Sequence, residues 1–156
     1  MPRQRLADRI NFTVIVIALV VTAIDALSKV WARHALASHA VHVGGAFWLR
    51  LQYNSGISFS FDQSSALLTS IATVIVAVVV LVVGLRARRG LPTVGFALLI
   101  GGGVANVIDR LTARPHQVTD FIALGSFPVF NLADVAITAG FLTLLVAALT
   151  GEKLLA

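Results

Sequence analysis

Four long apolar stretches constrain the fold of this chain more than any other feature of its sequence. They cover residues 10–27, 66–85, 91–108 and 129–149, and each contains about 18–21 residues. At a rise of about 1.5 Å per residue, helices of this length extend about 27–32 Å, which matches the hydrocarbon thickness of a bilayer. We therefore predict an α-helical integral membrane protein with four transmembrane helices.

The composition supports this class and excludes several others. Apolar residues make up 58% and charged residues 12% of the 156 residues, whereas a soluble domain carries about 25% charged residues. The spans and their connections use nearly the whole chain, so we predict one membrane domain over residues 1–156 and no second domain. Because the sequence contains no cysteine, disulfides, cysteine-ligated metals and thiol catalysis are excluded.

The first apolar stretch allows two interpretations, a retained transmembrane span or a cleaved signal peptide. Arg3, Arg5 and Arg9 precede it, so it also fits a cleaved signal peptide. However, Asp25 interrupts the stretch where a cleavage region would contain small neutral residues. We therefore favour a retained first span.

The distribution of basic residues predicts the orientation. The basic residues of the two termini and of the link between the second and third spans are Arg3, Arg5, Arg9, Arg86, Arg88, Arg89 and Lys153. The opposite side has loops about three times as long but fewer basic residues: Lys29, Arg33, Arg50, Arg110 and Arg114. Since basic residues concentrate in cytoplasmic loops, we predict a multi-pass protein with both termini in the cytoplasm.

In the loop between the first two spans, the hydrophobic side chains recur with the two-residue period of a strand. Large hydrophobic side chains occupy every second position in residues 47–53 and again in residues 57–61. The Asn-Ser-Gly sequence of residues 54–56 suits a turn with positive φ. We therefore predict a small extracytoplasmic β-sheet over about residues 46–62, lying on the outer membrane surface between spans one and two.

Four of the seven acidic residues lie at the same, outer level of the predicted spans: Asp25, Asp109, Asp120 and Asp134. An aspartate in a span costs about 2.5–3.5 kcal/mol at the bilayer centre, so it normally faces the protein interior or water. Asp120 and Asp134 have no basic residue three or four positions away. Two such carboxylates in one site cannot both ionise cheaply, so one holds a proton while the other can act as a base.

The other polar residues at this level have structural alternatives. Asp25 with Lys29, and Asp109 with Arg110, could form ion pairs that only stabilise helices. The asparagines of this level could donate hydrogen bonds to a peptide carbonyl or to the carboxylates, or could only link helices: Asn54, Asn106 and Asn131. The outer histidines have no cysteine or acidic residue among them, so we predict no metal site there: His34, His39 and His42.

Five short segments contain most of these polar residues. They are Asp25-Ala26-Leu27-Ser28-Lys29, Asn54-Ser55-Gly56-Ile57-Ser58-Phe59-Ser60, residues 101–110, Val118-Thr119-Asp120-Phe121-Ile122, and Phe127-Pro128-Val129-Phe130-Asn131-Leu132-Ala133-Asp134. In order and spacing they resemble the sequence boxes of lipoprotein signal peptidases (signal peptidase II), the aspartic peptidases of bacterial inner membranes. The sequence departs from the family pattern only in small-for-small exchanges, at Ser28, Ser58, Gly103 and Ala105.

The resemblance implies a reaction and a set of site residues. The reaction is removal of the signal peptide from diacylglyceryl-modified prolipoproteins, by cleavage N-terminal to the lipidated cysteine and without a metal or organic cofactor. The last two segments are similar to the boxes that carry the family's catalytic aspartates, which implies Asp120 and Asp134 as the catalytic residues. Residues expected to bind substrate or support the site are Asp25, Lys29, Asn54, Gly56, Asn106, Asp109, Arg110 and Asn131.

The resemblance also implies where the chain acts and with what. The expected partners are lipidated prolipoproteins and membrane lipids, with no nucleic acid, and we expect a monomer whose active site lies at the outer leaflet of the bacterial inner membrane. The outer sheet is expected to cradle the substrate. Two other classes compete with this interpretation. An ion-coupled transporter would need acids at the midplane or along the membrane, and an assembly factor would need no unpaired carboxylate pair.

Overall fold

The computed structural model describes residues 10–54, 63–112 and 117–156, with only the backbone described for residues 63–70. In chain order the elements are α1 (Phe12–Ala35), β1 (Val41–Gly44), β2 (Phe47–Asn54), α2 (Gln63–Gly84), α3 (Leu91–Thr112), β3 (Val118–Leu124) and α4 (Leu132–Leu149). The chain is thus helical with one small sheet, as the sequence predicts.

Three of the helices are long and apolar enough to cross a membrane. Among the described residues these are α1, α3 and α4. The helix α2 contains 22 residues, but its described apolar part, Ile71–Gly84, is shorter than a span. The fourth transmembrane helix therefore stays a prediction.

The bounds of all four helices differ from those of the predicted spans, and the causes are visible for α1 and α4. The first span was expected to end near residue 27, but α1 continues to Ala35. The charged residues Asp25 and Lys29 do not end this helix because they are buried and pair with each other one turn apart. The last span was expected from residue 129, but α4 begins at Leu132, since Asn131 caps its N-terminus.

The helix α3 packs against the other three helices and forms the centre of the bundle. Glycines allow close approach on two sides of this helix. A Cβ atom at Gly101 would lie 2.8 Å from the carbonyl oxygen of Ala18 in α1, and one at Gly102 would lie 2.5 Å from that of Ala133 in α4. Small residues at helix contacts of this kind let the backbones come together.

The sheet has three antiparallel strands in the order β1-β2-β3. The predicted strand at residues 47–53 is confirmed as β2, whereas the predicted strand at residues 57–61 lies outside the described residues. The sequence did not predict β1 or β3. Because β3 comes from the link between α3 and α4, the prediction that the sheet belongs only to the loop between the first two spans is wrong. Three apolar residues of β3 are buried within the protein, Val118, Phe121 and Ala123, while Leu124 at its end is exposed.

The inner face of the sheet packs on the end of α1. Phe121 forms a hydrophobic cluster with Ala32 and Leu36, and Leu49 and Leu51 of β2 contact the same cluster. This packing holds β3 beside the C-terminal end of α1. The contacts of β3 with α3 and its bridge to Phe130, just before α4, bring all three helices to this strand.

Candidate active site

Asp120 lies on β3 and is 1% exposed. Its Oδ1 accepts a hydrogen bond from Nδ2 of Asn131 at 2.6 Å. Its Oδ2 accepts one from Nδ2 of Asn54, at the end of β2, at 3.0 Å. Two amide side chains that are distant in sequence therefore hold this buried carboxyl group.

The surroundings of Asp120 change its acidity. The pKa of Asp120 is raised to about 6, mainly by burial. The charge of Asp134 contributes to this rise, while the hydrogen bonds from Asn54 and Asn131 and the charge of Lys29 oppose it. A carboxyl group with this pKa exchanges its proton near neutral pH. It is therefore suited to general acid–base chemistry.

Asp134 is held in the first turn of α4 by a capping box. Oδ1 of Asn131 accepts a hydrogen bond from the main-chain nitrogen of Asp134 at 2.9 Å, and Oδ2 of Asp134 accepts one from the main-chain nitrogen of Asn131 at 3.2 Å. The remaining oxygen, Oδ1, accepts a hydrogen bond from Nδ2 of Asn106 at 2.9 Å. Since Asn131 contacts both aspartates, Asp120 and Asp134 belong to one site.

A buried ion pair supports this site from α1. Nζ of Lys29 lies 2.7 Å from Oδ2 of Asp25 and donates a hydrogen bond to Oδ1 of Asn106 at 2.7 Å. The other oxygen of Asp25 accepts a hydrogen bond from the main-chain nitrogen of Ala133 at 2.7 Å. The expected pairing of Asp25 with Lys29 is confirmed, and it also fixes Asn106 and the start of α4.

Asp109 does not form the suggested pair with Arg110. Its ion pairs within the described residues are with Arg33, at 2.9 Å, and Lys29, at 3.8 Å. It also accepts a hydrogen bond from the main-chain nitrogen of Thr119. Adjacent residues of a helix point in different directions, so Asp109 and Arg110 do not face each other. Nε of Arg110 is buried and has no hydrogen-bond partner within the described chain.

Sequence reasoning missed two residues of this network, Arg33 and Thr119. The signal for Arg33 was its spacing, because Asp25, Lys29 and Arg33 follow each other at intervals of four residues and share one helix face. The only sequence signal for Thr119 was its position next to Asp120. Gly56, also expected at the site, lies outside the described residues.

The histidines of the outer loop contact their sequence neighbours: His39 pairs with Ser38, and His42 with the carbonyl oxygen of Gly45. The ring of His42 packs on Trp48 with 4.3 Å between the ring centroids. Across the described ranges, no group of three or more histidine or acidic side chains is arranged to hold a metal ion. The candidate chemistry of the site rests on carboxylates, amides and the basic side chains of Lys29, Arg33 and Arg110.

The family model described as signal peptidase (SPase) II matches residues 17–150 of this chain. This chain belongs to the signal peptidase II family. It is therefore a peptidase, of the aspartic class.

Named relatives agree with this assignment. A lipoprotein signal peptidase of Rhodococcus jostii (strain RHA1) is 32% identical over 96% of this chain and 79% of the relative. One of Moorella thermoacetica (strain ATCC 39073 / JCM 9320) is 37% identical over 83% of this chain and 88% of the relative. A solved bacterial membrane enzyme superposes with a TM-score of 0.76 at 25% identity and covers 88% of each chain. The fold of this signal peptidase II family member is thus shared with a membrane enzyme.

Proposed function

We propose that this chain removes the signal peptide from diacylglyceryl-modified prolipoproteins, with Asp120 and Asp134 as the catalytic pair. Membership of the signal peptidase II family supports the reaction. The residue assignment rests on the contact of Asn131 with both carboxyl groups, because this contact joins an aspartate of β3 and an aspartate of α4 in one site. The bond cleaved is the one N-terminal to the lipidated cysteine.

The proposed mechanism is that of an aspartic peptidase. The ionised carboxylate removes a proton from a water molecule, and the resulting hydroxide attacks the scissile carbonyl carbon. The protonated carboxyl group donates a hydrogen bond to the carbonyl oxygen and later supplies the proton for the leaving amine. We assign the resting proton to Asp120, because burial raises its pKa to about 6.

The other polar residues have positioning or binding roles in this proposal. Asn106 and Asn131 orient the carboxyl groups through hydrogen bonds, and the Asp25–Lys29 pair holds Asn106. The guanidinium of Arg110, with its unpartnered Nε, binds the substrate main chain. We also assign substrate contacts to Asn54 and Gly56, because both belong to a sequence segment that resembles one of the family's boxes.

The membrane arrangement follows from the same proposal. The C-terminal ends of α1 and α3 and the N-terminal end of α4 meet at the site, which fits helices that alternate in direction across a bilayer. With α2 as the fourth span, both termini lie in the cytoplasm and the site lies at the outer leaflet of the inner membrane, where the lipid of the substrate is anchored. The clustering of the acidic residues at one end of the bundle favours a peptidase over an ion pathway. The proposed working unit is a monomer in contact with membrane lipids.

The test is a cleavage assay with purified protein in lipid and two versions of one prolipoprotein peptide. One version carries a diacylglyceryl group on its cysteine, and the other carries the unmodified cysteine. Mass spectrometry should find cleavage N-terminal to the cysteine in the lipidated peptide only. Equal cleavage of both peptides, or cleavage at another bond, would contradict the proposed substrate.

A further inference from the structure

We propose that Arg33 is a positioning residue that holds strand β3, and with it Asp120, in the arrangement needed for catalysis. It acts through Asp109 and Thr119 and does not contact either proposed catalytic carboxyl group. The proposal rests on the proposed function of Asp120.

Three residues from three elements form a closed arrangement. Nη1 of Arg33, in the last turn of α1, donates hydrogen bonds to Oδ1 of Asp109 at 2.9 Å and to Oγ1 of Thr119 at 3.0 Å. Oδ2 of Asp109, near the end of α3, accepts a hydrogen bond from the main-chain nitrogen of Thr119 on β3. The side chain and the main chain of Thr119 are therefore both held by the other two residues. We call Arg33, Asp109 and Thr119 the strand clamp.

The clamp occupies the free edge of the sheet. One edge of β3 pairs with β2. On its other edge, near the end of the strand, Phe130 exchanges main-chain hydrogen bonds with Ile122. Asp109 satisfies the main-chain nitrogen of Thr119 at the beginning of the strand, where no such bridge is present in the described chain. Asp120 lies between these two attachment points, so the clamp determines where its carboxyl group is presented.

The charges show why Arg33 is needed to hold Asp109. The carboxylate of Asp109 is buried, with 5% exposure. Lys29 lies 3.8 Å from Asp109 but only 2.7 Å from Asp25, which it neutralises. Arg33 is therefore the main cation compensating Asp109. Removing it leaves a buried carboxylate with weak compensation, and such a group moves toward water or takes up a proton.

A shift of Asp109 would move Thr119 and the adjacent Asp120. A displacement of about 1 Å in a catalytic group can lower the rate by about two orders of magnitude. Because Arg33 does not bind the substrate in this proposal, its loss should lower kcat and leave KM nearly unchanged. A residue that contributed only to stability would leave both constants of the folded enzyme unchanged.

The experiment compares Arg33→Gln, Thr119→Val and the double variant on the lipidated peptide, at equal concentrations of folded protein. Arg33→Gln removes the charge, and Thr119→Val removes the hydroxyl acceptor at nearly constant shape. Each single variant should have a kcat at least about fivefold below wild type with KM within about twofold. The double variant should be no slower than about the slower single variant, since both changes break the same clamp. The matched control is Arg89→Gln, which removes an exposed arginine from the link before α3, at the opposite end of that helix from the clamp, and should leave kcat unchanged.

A kcat near wild type for folded Arg33→Gln, or single effects that multiply in the double variant, would overturn the proposal. If Arg33→Gln yields no folded protein, Thr119→Val decides alone, and a wild-type kcat for that variant overturns it. Asp120→Asn on the same substrate separates this proposal from the proposed function. An inactive Asp120→Asn with normal clamp variants refutes only the clamp, whereas an active Asp120→Asn refutes the catalytic assignment itself.

Discussion

Asn131 donates a hydrogen bond from Nδ2 to Oδ1 of Asp120 at 2.6 Å, while its Oδ1 accepts one from the main-chain nitrogen of Asp134 at 2.9 Å. The residue that caps α4 is thus also the residue that joins the two acidic side chains of the site. Capping alone is worth about 1 kcal/mol. The second contact gives Asn131 a role in the geometry of the proposed catalytic pair that a helix cap would not require.

Asp120→Asn and Asp134→Asn should each lower cleavage of the lipidated peptide by several orders of magnitude while the protein still inserts and folds. Asparagine keeps the size of the side chain but cannot exchange the proton. The double variant should be little worse than either single one, because residues that act as one catalytic unit are strongly non-additive. Single-turnover rates at equal folded protein test this, with the exposed Glu152→Gln as the control. Near-wild-type rates for either variant, together with an inactive Asp25→Asn or Asp109→Asn, would refute the assignment of the pair.

Asp25→Asn should destabilise the protein by about 3–5 kcal/mol, because it leaves the buried ammonium of Lys29 without its partner. Asn keeps an oxygen for the main-chain nitrogen of Ala133, so the folded fraction should retain measurable turnover. Lys29→Met should also be destabilising, because it leaves the buried carboxylate of Asp25 without its partner. The double variant should be more stable than the sum of the two single effects predicts. Reversible unfolding in mixed micelles measures these differences. Strictly additive effects would show that the two residues do not stabilise each other.

The kcat/KM of the enzyme should fall as the pH rises through about 6. Burial raises the pKa of Asp120 to about 6, so above this pH the pair loses the proton that the acid step needs. The hydrogen bond from Asn54 favours the ionised form and lowers this pKa. In Asn54→Ala, the fall of kcat/KM should therefore occur at a higher pH than in the wild type. The control is Gln52→Ala, which changes an exposed side chain of the same strand. A fall of kcat/KM at a lower pH in Asn54→Ala than in the wild type would contradict the assignment.

A reporter fused after Gly151, or inserted into the link at residues 86–89, should report the cytoplasm, and one inserted near His39 should report the outside. The high density of basic residues in the termini and this link is the physical reason. Two reporters, one active only in the cytoplasm and one active only outside it, show on which side of the membrane each fusion site lies. An outside signal from the link at residues 86–89 would refute both the orientation and the outer position of the site.

Cleavage should be insensitive to chelators. The chemistry proposed for Asp120 and Asp134 needs only a water molecule and one proton, and the histidines of the outer loop lack the partners of a metal-ligand set. Activity is measured after dialysis against a chelator and again after addition of zinc. Loss of cleavage that zinc restores would replace the aspartic mechanism with a metal-dependent one.

Some predictions from the sequence are confirmed because they rest on local physics. The strand β2 follows from its alternating side chains, and the pairing of Asp25 with Lys29 follows from their spacing on one helix face. The apolar stretches predict the helices of the bundle, although their ends shift by several residues. Helix ends depend on caps and buried charges, which a hydrophobic run does not show.

The strand β3 was not predicted because its formation depends on a distant partner, whereas β1 is a four-residue strand that pairs with its sequence neighbour β2. β3 pairs with β2, which lies more than sixty residues earlier in the chain, and a short apolar segment of this kind can lie either in the membrane or under a sheet. A short apolar segment has the same composition in both cases, so only the contacts distinguish them.

The class of the protein, its helices and the acidic and amide residues of the candidate site can be predicted without a structure, because hydrophobic length, charge and residue type are local properties. Which of these residues contact each other depends on the packing of the elements. This packing joins Asp120 to Asp134 through Asn131, and it gives Asp109 the partner Arg33 in place of Arg110. The contacts of the site join residues up to 108 positions apart, as between Asp25 and Ala133. They form only when the helices pack and the sheet closes on the end of α1, since the hydrogen bonds of a buried site depend on distances that no local pattern specifies.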